Sequence, residues 1–191
     1  MRPGQIVILR WTAALLAGLF VGLASWVAYD GTFPGDRGAL VELNEAVGTT
    51  IDEPMIVIGD VTDSAPMGAV AVVIVAVLAL VGRRSDALMV LLIVGTVLVL
   101  NPVLKDVIGR GRPDVRLSPE VVSPHGFPSG HAANTAALVG ALMLVAPTRR
   151  SRILTATVGA IGLIVVGFSR LATGVHYPSD LVGGWLWVAS L

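Results

Sequence analysis

The sequence predicts an all-α integral membrane protein: a bundle of six transmembrane helices, with short interfacial helices in its first outward loop. Three observations support this. The 191 residues are 54% hydrophobic and only 14% charged, with a mean hydropathy of +0.82, whereas an ordinary soluble domain carries about 25% charge. Six apolar runs, at residues 6–29, 66–81, 86–104, 131–147, 153–168 and 179–191, are separated by charged or turn-forming stretches. Charge is also distributed unequally between the two ends of those runs. The length allows one domain over 1–191. There is no cysteine, which excludes disulfides and thiolate metal sites.

The first run, 6–29, exceeds the roughly 20 residues a span requires. A signal peptide has a shorter apolar region and a small-residue cleavage site, so this run is expected to persist as a helix. Residues 30–63 are polar and rich in Asp and Glu, with Leu40, Leu43, Val47 and Ile51 near helical period. Short helices broken at Pro34 and Pro54 are expected there. Two readings of this stretch stand side by side: a solvated loop, or a lid or rim over a lipid-facing entrance. The second run is short and ends at Arg83 and Arg84. The fourth ends at Arg149, Arg150 and Arg152. The sixth has about a dozen residues, too few to cross the hydrocarbon, and is expected to be a truncated helix.

With six spans, Arg2, Arg10, Arg83, Arg84, Arg149, Arg150 and Arg152 fall at one end. By the positive-inside tendency that end is cytoplasmic. Nearly all the acidic residues, with Arg37, Lys105, Arg110, Arg112, Arg116 and Arg170, fall at the other. The expected location is a bacterial plasma membrane, with the N-terminus cytoplasmic and the charged loops outside.

Those outward loops hold three short motifs. Lys105 is followed after six residues by Arg112-Pro113; Pro128-Ser129-Gly130-His131 opens the fourth run; Ser169-Arg170, five residues, His176, three residues, Asp180 lies between the last two runs. Ionisable residues at the edge of a membrane segment are costly and mark functional sites. His176 and Asp180 are four apart, so on a helix they would share a face. The carboxylate could then fix the imidazole tautomer and leave one nitrogen available. Lys105, Arg112 and Arg170 offer positive charge to a phosphate; arginine supplies a planar fork and lysine a point charge. Ser129 stands where an N-cap would, and a helix N-terminus is an anion site. Gly130 lets backbone approach closely.

The three motifs in this order resemble the type-2 phosphatidic acid phosphatase superfamily, and every defining position is present. The resemblance implies that His176 attacks phosphorus to form a phosphohistidine, and that Asp180 orients His176. It implies that His131 protonates the leaving oxygen and later activates water. Lys105, Arg112, Ser129, Gly130 and Arg170 would bind phosphate. It also implies that no metal or other cofactor is required. The expected partners are a lipid phosphate and membrane lipids, with no nucleic acid; the sequence is silent on oligomeric state.

Other charged and aromatic residues have plainer readings. Lys105 and Arg112 as an isolated pair would be snorkelling anchors, but their outward location argues against it. Arg110 and Arg116 read as loop charges and His125 as a surface histidine. Asp106 and Asp114 are expected to be solvated or paired with nearby arginines. Trp11, Trp26, Trp185 and Trp187 suit interfacial belts or packing. Gly140, Ala141, Gly159, Gly162, Gly183 and Gly184 are expected to permit close helix approach. The expected activity is hydrolysis of a lipid phosphomonoester or isoprenoid diphosphate at the extracytoplasmic face. Phosphotransfer to another lipid shares the first half-reaction. A non-catalytic phospholipid-binding or transport protein would need the positive charge but not the His–Asp pair.

Overall fold

The structure, a computed structural model, describes residues 3–115 and 123–191; Arg2 and Arg116 lie outside the described residues. Among the described residues eight helices run in order: α1 (Pro3–Asp30), α2 (Asp36–Val47), α3 (Asp52–Thr62), α4 (Ser64–Leu80), α5 (Arg84–Ile108), α6 (Gly130–Val145), α7 (Arg149–Ala172) and α8 (Pro178–Ala189). A helix accompanies each of the six apolar runs, and the acidic stretch between the first two supplies α2 and α3. By length and composition α1, α5 and α7 can cross a membrane, or four segments if the bent α3–α4 pair counts as one. The remaining helices are shorter. The α3–α4 bend is 48°.

Apolar side chains cover the outside of these helices. Leu15, Leu92, Ile161 and Ile164 are exposed, as expected where hydrocarbon rather than water is the neighbour. In lipid, helices gain little from burying apolar surface, so association rests on close packing of small residues. The centre shows this: Val90, Val94 and Val97 on one stripe of α5 cluster with Ala133, Ala137 and Ala141 of α6. A Cβ on Gly159 would fall 2.3 Å from the Val139 side chain, and one on Gly184 would fall 2.8 Å from the Ser129 carbonyl oxygen. These two glycines bring α7 and α8 onto α6. Gly183 leaves room for the Phe127 ring, which stacks on Phe20 of α1. The small-residue expectation fails at Gly140 and Gly162, where a Cβ would meet nothing within 4 Å. Those two face outward, and composition alone could not tell a packed glycine from an open one.

Three boundaries differ from the expected ones, each with consequences for the site. Helix α5 runs past residue 104, so Lys105 sits in its last turn, not in a loop. Helix α7 extends to Ala172, so Arg170 is helical. Pro54 does not break a helix; it sits in the first turn of α3, where its missing N–H costs nothing. Trp11 is exposed, as an interfacial residue would be. Trp187 packs inside, 6.0 Å from Phe20.

Candidate active site

Two glycine turns aim the chemistry. Helix α5 ends at Gly109, whose φ of 67° is left-handed and whose N–H donates to the Lys105 carbonyl at 2.8 Å. Such a cap needs glycine, and it throws Arg110, Gly111 and Arg112 back across the end of the bundle. Helix α7 is capped by Thr173 and followed by the left-handed Gly174, φ 70°. There the Val175 N–H donates to the Arg170 carbonyl at 3.3 Å, and the chain turns inward to deliver His176. An isolated β-bridge between Gly111 and His125 ties the first loop to the segment before α6.

The dyad forms, though not on one helix face. His176 lies before α8 and Asp180 in the first turn of that helix. His176 Nδ1 and Asp180 Oδ2 are 3.2 Å apart, with both side chains fully buried. His176 Nε2 is 3.2 Å from Arg112 Nη1. Guanidinium can only donate, so Nε2 accepts and the ring proton is on Nδ1, directed at Asp180. Asp180 Oδ2 also accepts from the Tyr177 N–H at 2.9 Å. It therefore caps its helix as well as orienting the histidine. Burial, followed by the nearby positive charges of Arg112 and Lys105, holds His176 well below the ordinary histidine range. The imidazole is thus neutral at neutral pH, with a lone pair on Nε2.

Of the phosphate-binding candidates, Arg112 touches that nitrogen, and the charges of Lys105 and Arg170 act on the same ring. Arg112 is braced by the Ser123 carbonyl at 2.6 Å and the Val175 carbonyl at 2.7 Å. Lys105 Nζ reaches the His125 carbonyl at 3.2 Å. Arg170 is fully buried; its Nε donates to Ser169 Oγ at 3.1 Å and its Nη2 to the Met55 carbonyl at 2.6 Å. Ser129 caps α6, accepting from the Ala132 N–H at 3.4 Å, and its own N–H donates to the Asp180 carbonyl at 3.0 Å. The His131 and His176 rings meet edge-on with centroids 6.2 Å apart. A cavity of about 650 Å³ opens here, with Lys105, Arg112, Gly130 and His131 among the residues on its wall. His176, Asp180, Arg170 and Ser129 are buried behind that wall.

The acidic stretch is part of the site. Ile56, Gly59, Asp60 and Asp63 form one side of the cavity, so the α3 part of the stretch 30–63 is a wall of the site rather than a solvated loop. A Cβ on Gly59 would fall 2.1 Å from the Arg170 guanidinium; glycine there makes room for the arginine. The Asn44 amide of α2 donates to the Leu171 carbonyl at 3.0 Å, which docks that helix on α7.

One expectation is corrected. Arg110 is no solvated loop charge: it is 3% exposed and bound to Asp180 and Asp36. Asp106 is solvated, as expected, with its carboxylate 3.2 Å from His125 Nδ1, and Asp114 pairs with an arginine, the exposed Arg37. Sequence reasoning also missed three residues. Asp36 is buried at the start of α2. Asp63 sits 4.0 Å from His131 Nε2. Asn101 is buried on the cavity wall one turn before Lys105, its Oδ1 without a hydrogen-bond partner among the described residues. Asn101 continues the stripe of Val90, Val94 and Val97 at helical spacing, a signal the sequence did hold. Asp36 carried only the weak signal of an acid following Pro34-Gly35.

The fold and site define a helical membrane protein whose three motifs converge on an oriented histidine among buried cations. Residues 86–191 match the PAP2 superfamily, and the chain belongs to it. The chain is 38% identical over 110 residues to phosphatidylglycerophosphatase B of Bacillus subtilis, covering 54% of this chain and 53% of that protein. It is 29% identical over 127 residues to an undecaprenyl-diphosphatase of Sulfolobus acidocaldarius, covering 61% and 59%. It is 36% identical over 109 residues to a lipid A 4'-phosphatase of Rhizobium leguminosarum, covering 50% and 46%. The chain thus spans about half the length of the curated relatives it matches. The crystal structure of a transmembrane PAP2-type phosphatidylglycerolphosphate phosphatase from Bacillus subtilis superposes with a TM-score of 0.78 at 26% identity, covering 94% of this chain and 92% of that one. The chain is an integral membrane protein.

Proposed function

We propose that residues 1–191 form a single membrane-embedded phosphatase domain that hydrolyses a lipid phosphomonoester or an isoprenoid diphosphate through a phosphohistidine on His176. The observation that carries the proposal is the fixed tautomer: Nδ1–H is directed at Asp180, and the lone pair of Nε2 is directed at Arg112. A binding protein has no use for a buried, oriented, neutral imidazole. In the proposed reaction, phosphate oxygens take the Arg112 guanidinium away from His176. The freed Nε2 attacks phosphorus, and the lipid oxygen leaves with a proton from His131. His131 then deprotonates a water, which attacks the phosphohistidine and releases inorganic phosphate. Lys105, Arg112, Arg170 and the N–H groups at the start of α6 stabilise charge on the transferring oxygens, the main demand of phosphoryl transfer. Positive side chains supply what a metal supplies elsewhere, so chelators are expected to leave turnover intact.

The placement in the membrane belongs to the same proposal. Six spans are read with the motif loops on the extracytoplasmic side of a bacterial plasma membrane and the N-terminus inside. The arginine distribution supports that reading. Arg83 Nη2 also reaches the Val145 carbonyl at 2.5 Å, which joins the α4–α5 turn to the far end of α6.

The test is phosphate release by purified protein from phosphatidic acid, phosphatidylglycerophosphate and a polyprenyl diphosphate. Release from at least one is expected, with a loss of about 10³-fold or more in His176→Ala, the scale seen when a catalytic nucleophile is removed. Acid-labile phosphate on the wild-type protein after rapid quench is expected, and none on the variant. Release that persists in His176→Ala overturns the assignment.

A further inference from the structure

We propose that Arg110, held by Asp36, is a positioning residue for the reaction: it clamps Asp180 so that one carboxylate oxygen stays aimed at His176. This rests on the phosphohistidine reading of the same site and extends it to a pair of residues that are not among the defining positions of the three motifs.

The argument is an accounting of one buried carboxylate. Asp180 Oδ2 accepts from His176 Nδ1 at 3.2 Å and from the Tyr177 N–H at 2.9 Å. Asp180 Oδ1 accepts from Arg110 Nη1 at 2.5 Å. Both oxygens are committed, and the ion pair between Arg110 and Asp180 is wholly shielded, with 0% exposure on either side chain. A Cβ on Gly126 would lie 3.0 Å from Oδ2, so glycine there is what lets the segment before α6 pass beside the carboxylate. Without the guanidinium, Oδ1 would be a buried anionic oxygen with no partner. Such a group must rotate, take up a proton or pull in water, and each of these outcomes disturbs the oxygen that orients His176.

Arg110 is itself over-determined. Its Nε donates to the Gly31 carbonyl at 2.9 Å, Nη1 also donates to Ser179 Oγ at 2.7 Å, and Nη2 donates to Asp36 Oδ2 at 2.6 Å. The guanidinium lies over the Tyr177 ring, 4.4 Å from its centroid. Asp36 closes the far side, accepting from the Ser179 N–H at 3.0 Å and from Ser179 Oγ at 2.5 Å. One arginine thus ties the end of α1, the start of α2 and the start of α8 around the dyad. Lysine could not replace it, because a point charge has no fixed fork to serve these directions together. Two carboxylates flank one guanidinium, so Asp180 faces His176 with its charge already offset. This fits the neutral imidazole, which faces Arg112 on its other nitrogen.

A double-mutant cycle separates positioning from mere anchoring. In full-length purified protein, Arg110→Lys is expected to lower kcat about 100-fold with KM changed less than about threefold, and Asp36→Asn about tenfold. Effects that run through one shared group are not additive. In an Asp180→Asn background, therefore, Arg110→Lys should cost less than about threefold more. An undiminished 100-fold loss in that background would mean Arg110 acts by some route other than Asp180, and would overturn the proposal. A readout independent of turnover is the downfield Nδ1 proton of His176 in the unliganded, histidine-labelled protein. It is expected in wild type, shifted or lost in Arg110→Lys and Asp36→Asn, and lost in Asp180→Asn. An unchanged resonance in folded Arg110→Lys rejects the clamp. If wild type releases no phosphate from any lipid, the functional reading fails on that ground, and the resonance alone decides the clamp.

Discussion

The two ends of the bundle use the same residue in opposite ways. At the far end, Arg84, Arg149, Arg150 and Arg152 are exposed, and the half-buried Arg83 pairs with Asp86 at 2.7 Å and also reaches the Val145 carbonyl. At the site end, Arg110 and Arg170 are 3% and 0% exposed, and both donate to groups distant in sequence. Exposed arginines at a membrane boundary are cheap, and they report orientation. A buried one must have every donor answered, since an unpaired buried charge costs several kcal/mol. The proposed site therefore lies where the arginines are buried and their partners come from different helices.

The largest effect that sharpens the contrast is expected from Arg170→Lys. It keeps the charge but loses the fork between Ser169 and Met55, and turnover should fall about 10²- to 10³-fold, the scale of removing one preorganised donor. A loss of less than threefold would put Arg170 with the far-end arginines.

Next comes Gly59→Ala. The new methyl overlaps only the end of a flexible side chain, the Arg170 guanidinium. Arg170 should shift while the fold survives: about a 10- to 100-fold loss of kcat/KM with the melting temperature nearly unchanged. Gly184→Ala is the control with the opposite signature, because its methyl meets the Ser129 backbone. It should lower stability by about 1–3 kcal/mol, the usual cost of overpacking. If both variants lose stability alike, Gly59 does not act through Arg170.

A smaller effect is expected at the far end. The combined variant Arg149→Gln, Arg150→Gln, Arg152→Gln should turn over within about twofold of wild type once purified, because those side chains touch nothing near the cavity. A tenfold loss would break the comparison.

The smallest signal is spectroscopic. With its pKa lowered by burial and neighbouring cations, His176 loses its neutral form only below the ordinary histidine value of about 6.5. Nitrogen-15 spectra of labelled histidine should therefore show the Nδ1–H tautomer persisting at pH 6. Half-protonation near pH 6.5 would contradict the described environment.

Much of this protein is determined by sequence alone. Apolar runs of helical length leave the backbone no other way to satisfy its hydrogen bonds in hydrocarbon, so the helices were legible. The three motifs were legible too: Lys105, Arg112, Ser129, Gly130, His131, Arg170, His176 and Asp180 all gather at one end. What sequence could not show was which charges are buried. Arg110 looks like the exposed Arg37 in a chain of letters, and Asp36 looks like the exposed Asp30. Only tertiary structure brings Asp36, Arg110 and Asp180 together across 144 positions of chain (36 to 180). Their burial depends on the packing of α1, α2 and α8 rather than on any local pattern. The acidic stretch shows the same division. Its helical period was visible, but its role as a cavity wall arises because Gly59 lets α3 close over Arg170, a contact set by two residues 111 positions apart (59 to 170). Local periodicity governs which segments become helices, while the complementarity of side chains far apart in sequence decides which of their charges leave water and become chemistry.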